Sequence, residues 1–81
     1  MPRVWNRDTF IAGQLESGIY NSNISTNFGF PFSGDATIIV FRPAVTYLQA
    51  ALIFDSTSND GTPHIYASNF RSTGWRAWKE L

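Results

Sequence analysis

The stretch Ala36-Thr37-Ile38-Ile39-Val40-Phe41-Arg42 decides the fold class of this chain. It is rich in β-branched and aromatic residues, which fit a pleated, half-buried surface better than a helix. Gly34-Asp35 precedes it and Pro43 follows it, and these residue types are typical of turns. The stretch therefore predicts a β-strand, bounded on both sides.

Similar signals on either side of this strand predict a small antiparallel sheet, a meander of about five strands. Residues 22–35 are rich in Asn, Ser, Gly and Pro, and we expect either a loop pinned to the core by its phenylalanines or a bent edge strand that carries Pro31. We expect a turn at Arg42–Val45 to pair the second and third strands, although Leu48–Leu52 has enough helical propensity to leave a helix open. The strands are predicted at residues 17–21, 36–42, 45–54, 64–70 and 75–81.

Residues 1–13 mix apolar and polar types and end at Gly13, a residue that breaks regular structure. We expect an irregular N-terminal lead-in or linker with one short strand or turn, followed by a single β domain over residues 14–81. No sustained apolar run follows Arg3 and Arg7, so no secretory signal is predicted. The longest apolar stretches are too short to span a membrane, and we expect no membrane insertion.

Composition limits the classes of function. Six basic and six acidic side chains give a net charge of zero, which argues against a nucleic-acid partner. Arg71, Arg76 and Lys79 lie close together, but Glu80 follows them, so we expect a solvated rim rather than a phosphate site. The chain has no cysteine, which excludes disulfides and thiolate metal sites. Aromatic residues make up 16% of the chain and charged residues 15%, a balance that suggests a surface in contact with a partner chain or a sugar.

No combination of residues predicts catalysis. His64 is the only histidine, no serine lies in a nucleophile-elbow pattern, and the carboxylates are scattered along the chain. The run Asp55–Gly61 lacks the alternating acids and the closing glutamate of a calcium loop. We predict a protein that is not an enzyme and that uses no cofactor and no metal.

Two of the predicted strands carry apolar residues on both faces. Ile38 and Val40 point to one side of their strand, while Ile39 and Phe41 point to the other. A sheet with one wet face alternates apolar with polar residues, and so short a chain has few residues left to cover a second face. Either the sheet curls around a small core or, as we favour, a second protomer covers one face.

The closing segment Gly74-Trp75-Arg76-Ala77-Trp78-Lys79-Glu80-Leu81 resembles the end of the pyocin-knob family of bacteriophage tail fibres and R-type pyocin fibres. The resemblance covers about residues 14–81, and the Trp-x-x-Trp-basic-x-Leu ending is its specific part. The preceding signals occur in the family's order: Gly18-Ile19-Tyr20, the loop with Pro31, Thr37–Arg42, Tyr47–Phe54 and Ile65-Tyr66.

The resemblance implies a module near the distal end of a homotrimeric fibre, in a phage virion or a pyocin-type particle that acts outside the cell. Its role would be recognition of a bacterial surface receptor, commonly a polysaccharide. Two alternatives stay open. The chain could be a purely structural, trimerising fibre module, or an accessory domain of a phage depolymerase or lysin.

A glycan site would use aromatic rings that stack on the C–H faces of sugars, with amides and charged groups that bond the hydroxyls. In a regular strand Trp75 and Trp78 point to opposite faces, so they cannot share one core unless a bulge intervenes. We expect Trp78 in the core and Trp75 partly exposed. The candidate glycan-binding residues are Tyr47, Tyr66, Asn69, Arg71 and Trp75.

Overall fold

The computed structural model describes residues 3–42, 48–71 and 73–81. It confirms a mainly β chain with one antiparallel sheet and little helix. No helix in these residues is both long and apolar enough to cross a membrane. The elements are α1 (Arg7–Ile11), β1 (Gly18–Ile24), a 3₁₀ turn (Thr26–Phe28), β2 (Gly34–Phe41), β3 (Leu48–Asp55), β4 (His64–Arg71), β5 (Gly74–Trp75) and β6 (Lys79–Glu80).

Strands β1 to β5 lie in sequence order, and each is antiparallel to the strand before it, which is the predicted meander. Residues 48–52 belong to β3, so the helical alternative is wrong. Phe41 of β2 lies opposite Ala50 of β3. This register does not fit the turn predicted at Arg42–Val45, and residues 43–47 lie outside the described residues.

The predicted last strand, 75–81, is interrupted. Both β5 and β6 pair with β4, but residues 76–78 leave the ladder between them. The interruption acts as a bulge does, because it lets both tryptophans point to the same side of the sheet. Trp75 is partly exposed as expected. The expectation for Trp78 is wrong, since it is also only half-buried and stacks on Trp75 instead of filling the core.

One side of the sheet, the closed face, is covered by the N-terminal segment and the loop after β1. Phe10 of α1 is 1% exposed. Asn6 caps this helix by accepting a hydrogen bond from the Thr9 backbone. Residues 3–13 therefore pack against the sheet through Phe10 and Trp5, and the domain boundary at residue 13 stays a prediction. The core consists of Phe10, Leu15, Tyr20, Ile24, Phe30, Ala36, Ile38, Val40, Ala51 and Ile53.

The opposite side, the open face, has no covering element among the described residues. The strand register places Ile19, Ile39, Leu52 and Ala67 in one row across four strands. Ile19 is 47% exposed, and Phe41 in the next row is 51% exposed. The two-sided apolar pattern predicted from sequence is thus present in the sheet. The apolar residues of the open face include Ile19, Ile39, Phe41, Ala50, Leu52, Phe54, Ile65 and Ala67.

Candidate functional site

Aromatic rings collect on the closed face, where α1 meets the loop after β1 and the C-terminal stretch. Phe10 stacks on Trp75 with ring centroids 4.4 Å apart and an interplanar angle of 13°. Trp75 stacks in turn on Trp78 at 5.6 Å, and Phe30 stacks on Trp78 at 6.4 Å. Such aromatic pairs are worth about 1 kcal/mol each beyond their buried area. The stacking therefore holds the rings in a fixed arrangement.

A cleft of about 280 Å³, the aromatic cleft, opens beside these rings. Its volume is near the lower end of the range for small-molecule sites, roughly 300–1,000 Å³. Phe28 forms part of its wall and is 48% exposed. Gly29 follows in the left-handed conformation at φ 85°, which ends the 3₁₀ turn and lets the chain reverse. The lining residues are Phe10, Ile11, Phe28–Phe30, Thr73–Arg76 and Trp78.

Hydrogen bonds hold the C-terminal wall of the aromatic cleft in place. The Trp75 indole nitrogen donates to the Phe10 carbonyl oxygen at 2.7 Å, which ties β5 to α1 and satisfies the indole N–H. The Arg76 backbone N–H donates to the Asn69 carbonyl at 3.0 Å. The Ser68 hydroxyl donates to the Arg76 carbonyl at 2.6 Å. The irregular stretch after β5 is thereby fixed against β4.

One arginine lines the aromatic cleft and another contacts the ring of Phe28 in its wall. The Arg7 guanidinium lies 3.9 Å from the centroid of the Phe28 ring, a cation–π contact, and also pairs with Asp8 at 3.5 Å. Arg76 lines the cleft, whereas no acidic residue does so. A ligand there meets apolar rings and cationic hydrogen-bond donors.

A separate polar cluster lies at the start of β4. The His64 Nε2 atom is 2.8 Å from the Asp60 Oδ2 atom, and Nδ1 bonds the Glu80 carboxylate. The hydrogen bond to Glu80 and then the bond to Asp60 raise the pKa of His64 to about 9. Hydrogen bonds from the Thr62 backbone, His64 and Ser58 lower the pKa of Asp60 to about 2. His64 thus links the turn before β4 to β6.

The arrangement of this cluster does not favour binding of a metal ion. Both ring nitrogens of His64 already bond a carboxylate, one on each side. Across residues 3–42, 48–71 and 73–81, no group of three or more His, Cys, Asp or Glu side chains is arranged to hold a metal ion.

A larger depression of about 480 Å³ lies between β1, β2 and the turn after β3. It offers hydroxyl, amide and carboxylate groups but no aromatic ring. A sugar there would find no platform for its C–H face, so the aromatic cleft is the stronger candidate. The depression is lined by Asn21, Ser22, Asp35, Ala36, Thr37, Ser56 and Thr57.

The residues predicted from sequence as a glycan site do not converge. Trp75 lines the aromatic cleft. Tyr66 lies on the same side of the sheet, but its ring packs on Phe32 with centroids 5.7 Å apart, outside the cleft. Burial, followed by the nearby acidic charges, raises the pKa of Tyr66. Tyr47 lies outside the described residues.

Asn69 and Arg71 point to the other side of the sheet. The strand register places Asn69 opposite Ala50, in the row of Phe41, and Arg71 opposite Leu48, in the next row. Both are exposed, and Asn69 also lines a depression that Arg76 shares. They could therefore contact a ligand only at the edge of the aromatic cleft, not within it.

Trp75 is the one predicted site residue among those that line the aromatic cleft, and the side chains of Phe10, Phe28, Arg76 and Trp78 were not predicted. Two sequence signals were available for them. The alternating Phe28, Phe30 and Phe32 stand in a loop rich in polar residues, and Trp78 repeats the Trp75 signal three residues later. The role of Phe10 depends on how residues 3–13 fold back, for which the sequence offers no periodic pattern.

No protein-family model, curated protein or solved structure matches this chain. The resemblance to the pyocin-knob family therefore stays a prediction from the residues quoted for it.

Proposed function

We propose that this chain is a non-catalytic carbohydrate-binding module that binds a bacterial surface polysaccharide in the aromatic cleft. It would serve as a knob module of a tail fibre in a phage virion or pyocin-type particle, as the sequence resemblance suggests. The observation that supports this most is the cleft, in which the partly exposed rings of Phe28, Trp75 and Trp78 lie beside Arg76.

Sugar binding requires a flat apolar surface and a few polar groups of fixed orientation. A pyranose ring stacks its C–H groups, which carry partial positive charge, on the electron-rich face of an aromatic ring. The Thr73 hydroxyl and the Arg76 guanidinium at the edge of the cleft can then bond the sugar hydroxyls. One such site binds weakly, and several copies on a fibre raise the overall affinity by about 10²–10⁴.

The test is binding to a panel of bacterial surface polysaccharides, measured for the wild-type chain and two tryptophan variants. Trp78→Ala removes a ring that lines the cleft, and we expect it to lower affinity by about tenfold or more, as loss of a stacked ring costs at least 1.4 kcal/mol. Trp5→Ala is the control, because Trp5 packs on the same aromatic cluster but does not line the cleft. Circular dichroism shows whether both variants remain folded.

Two outcomes would contradict this function. The first is failure of the wild-type chain to bind any polysaccharide of the panel. The second is an equal loss of binding in folded Trp78→Ala and Trp5→Ala proteins, which would mean that the rings support the fold only.

A second candidate function is structural: self-association of fibre chains through the open face. We propose that the open faces of three copies pack around a threefold axis, which makes the assembly a homotrimer. The row Ile19, Ile39, Leu52 and Ala67 contains no charge before Lys79 at its edge, so its partner surface must be largely apolar. The open face of another copy meets that requirement. Sedimentation analysis of the wild-type chain should give a trimer, and a monomer at high concentration would exclude this candidate.

A further inference from the structure

Two opposite charges of the C-terminal stretch, on Lys79 and Glu80, lie on opposite faces of the sheet. Lys79 and Glu80 are neighbours in β6, and neighbours in a strand point to opposite faces. Lys79 lies opposite Ala67 on the open-face side, while Glu80 lies opposite Tyr66. There Glu80 bonds His64. Glu80 is thus already paired on one side of the sheet, and Lys79 on the other side is not neutralised by it.

Asp8, Glu16 and Asp35 have partners away from this end of the sheet, while Asp60 and Glu80 both bond His64 on the face opposite Lys79. Within residues 3–42, 48–71 and 73–81, no carboxylate lies within salt-bridge distance of Arg76 or Lys79. Arg76 and Lys79 are therefore two cations of the C-terminal stretch that have no salt-bridge partner among the described residues. The pairs are Asp8 with Arg7, Glu16 with Arg3, Asp35 with Asn23, Asp55 with Thr57, and Asp60 with His64.

Arg76 stands between two concave surfaces. It lines the aromatic cleft and also a second depression of about 490 Å³, to which Asn69 and Lys79 contribute. The hydrogen bonds between its backbone and β4 fix its position. A chain of sugars that leaves the aromatic cleft on this side meets Arg76 first, and then Lys79 and Asn69.

We propose that the glycan of the aromatic cleft is acidic, and that Arg76 with Lys79 binds a carboxylate on the sugar next to the stacked one. This inference rests on the proposed function. A guanidinium binds a carboxylate through two parallel hydrogen bonds, which are stronger than bonds to neutral hydroxyls. Asn69, predicted from sequence as a glycan-binding residue, supplies an amide for a hydroxyl of the same sugar.

The test compares each polysaccharide of a bacterial panel with its own carboxyl-reduced form, which has the same backbone but no negative charge. The wild-type chain should bind an acidic form about tenfold tighter than its reduced partner, as one charge-assisted contact implies. The preference should shrink as salt is raised. Arg76→Gln should abolish it. Arg3→Gln is the control, because it removes the same charge at the β1 side of the sheet, where Arg3 pairs with Glu16. This variant should retain the preference for the acidic form.

The outcomes separate this inference from the proposed function. Equal binding of the acidic and reduced forms would overturn the inference and leave a neutral-glycan module. Absence of binding to every polysaccharide would overturn the function and the inference together. An equal loss of preference in Arg3→Gln and Arg76→Gln would assign the effect to net charge and overturn the inference. Competition by single-stranded DNA at the same concentration of charge would overturn it as well.

Discussion

The two faces of the sheet are built from the same strands, but one face is covered by other segments of the chain and the other is exposed. Alternate residues of β2 supply both, since Ile38 and Val40 are buried under the N-terminal segment while Phe41 on the open face remains 51% exposed. The closed face has an aromatic layer over it and a cleft at its edge. The open face carries a row of apolar residues, and no element of the described residues covers it.

The difference shows that the residues outside the strands decide the role of each face. Phe10 and Phe30 come from a helix of five residues and from a loop, yet both are core residues. Their stacking with Trp75 and Trp78 creates the wall of the aromatic cleft. The open face receives no such cover, so it is suited to contact another apolar surface.

The largest effect on stability is expected when a side chain that covers the closed face is truncated. Phe10→Ala should lower the free energy of unfolding by about 3–5 kcal/mol, because it leaves a cavity beneath the aromatic cluster. Urea unfolding measures the change. Ile11→Ala, next to it in α1 but 39% exposed, is the matched control and should cost well under half as much. Similar small losses for both would mean that residues 3–13 are a separable lead-in after all.

A smaller effect is expected where the N-terminal segment passes over β4. Gly13 has φ 72°, and a Cβ atom there would lie 2.6 Å from the Phe70 ring. Gly13→Ala should therefore cost about 2 kcal/mol or more, from the left-handed backbone and the clash together. Gly29→Ala has a similar φ but open space around the added atom, so it should cost about 1 kcal/mol. Thermal unfolding of the two variants separates the backbone cost from the clash, and equal costs would contradict the close packing.

The smallest effect concerns the link between the turn before β4 and β6. His64 has a pKa raised from 6.5 to about 9, so its charge stabilises the fold below pH 6.5, and this contribution is lost as pH rises through 9. Asp60 has a pKa lowered from 3.8 to about 2, so its contribution is lost as pH falls toward 2. The wild-type chain should be less stable at pH 9 than at pH 6.5. His64→Gln should flatten the profile across that interval, and an unchanged profile would exclude the link.

The strands of the sheet could be predicted from the sequence, but the packing of the segments that cover the closed face could not. The β-branched run 36–42 and the turn residues around it favour their structures through local propensity. Strand order and strand faces could therefore be predicted. The burial of Phe10 depends on contacts with residues distant in sequence, such as Phe30 and Trp75. The interruption of the strand after Trp75 likewise depends on tertiary hydrogen bonds to β4, which no local sequence pattern predicts.

The most direct test of the two-face account uses a pair of half-exposed phenylalanines, Phe28 in the aromatic cleft and Phe41 on the open face, 48% and 51% exposed. Each is changed to serine. Affinity for a short soluble oligosaccharide fragment, which excludes multivalent effects, and the sedimentation coefficient are measured for both proteins. The account predicts that Phe28→Ser loses oligosaccharide binding but keeps its assembly state, while Phe41→Ser keeps binding and dissociates. Loss of binding in Phe41→Ser with wild-type binding in Phe28→Ser would contradict it.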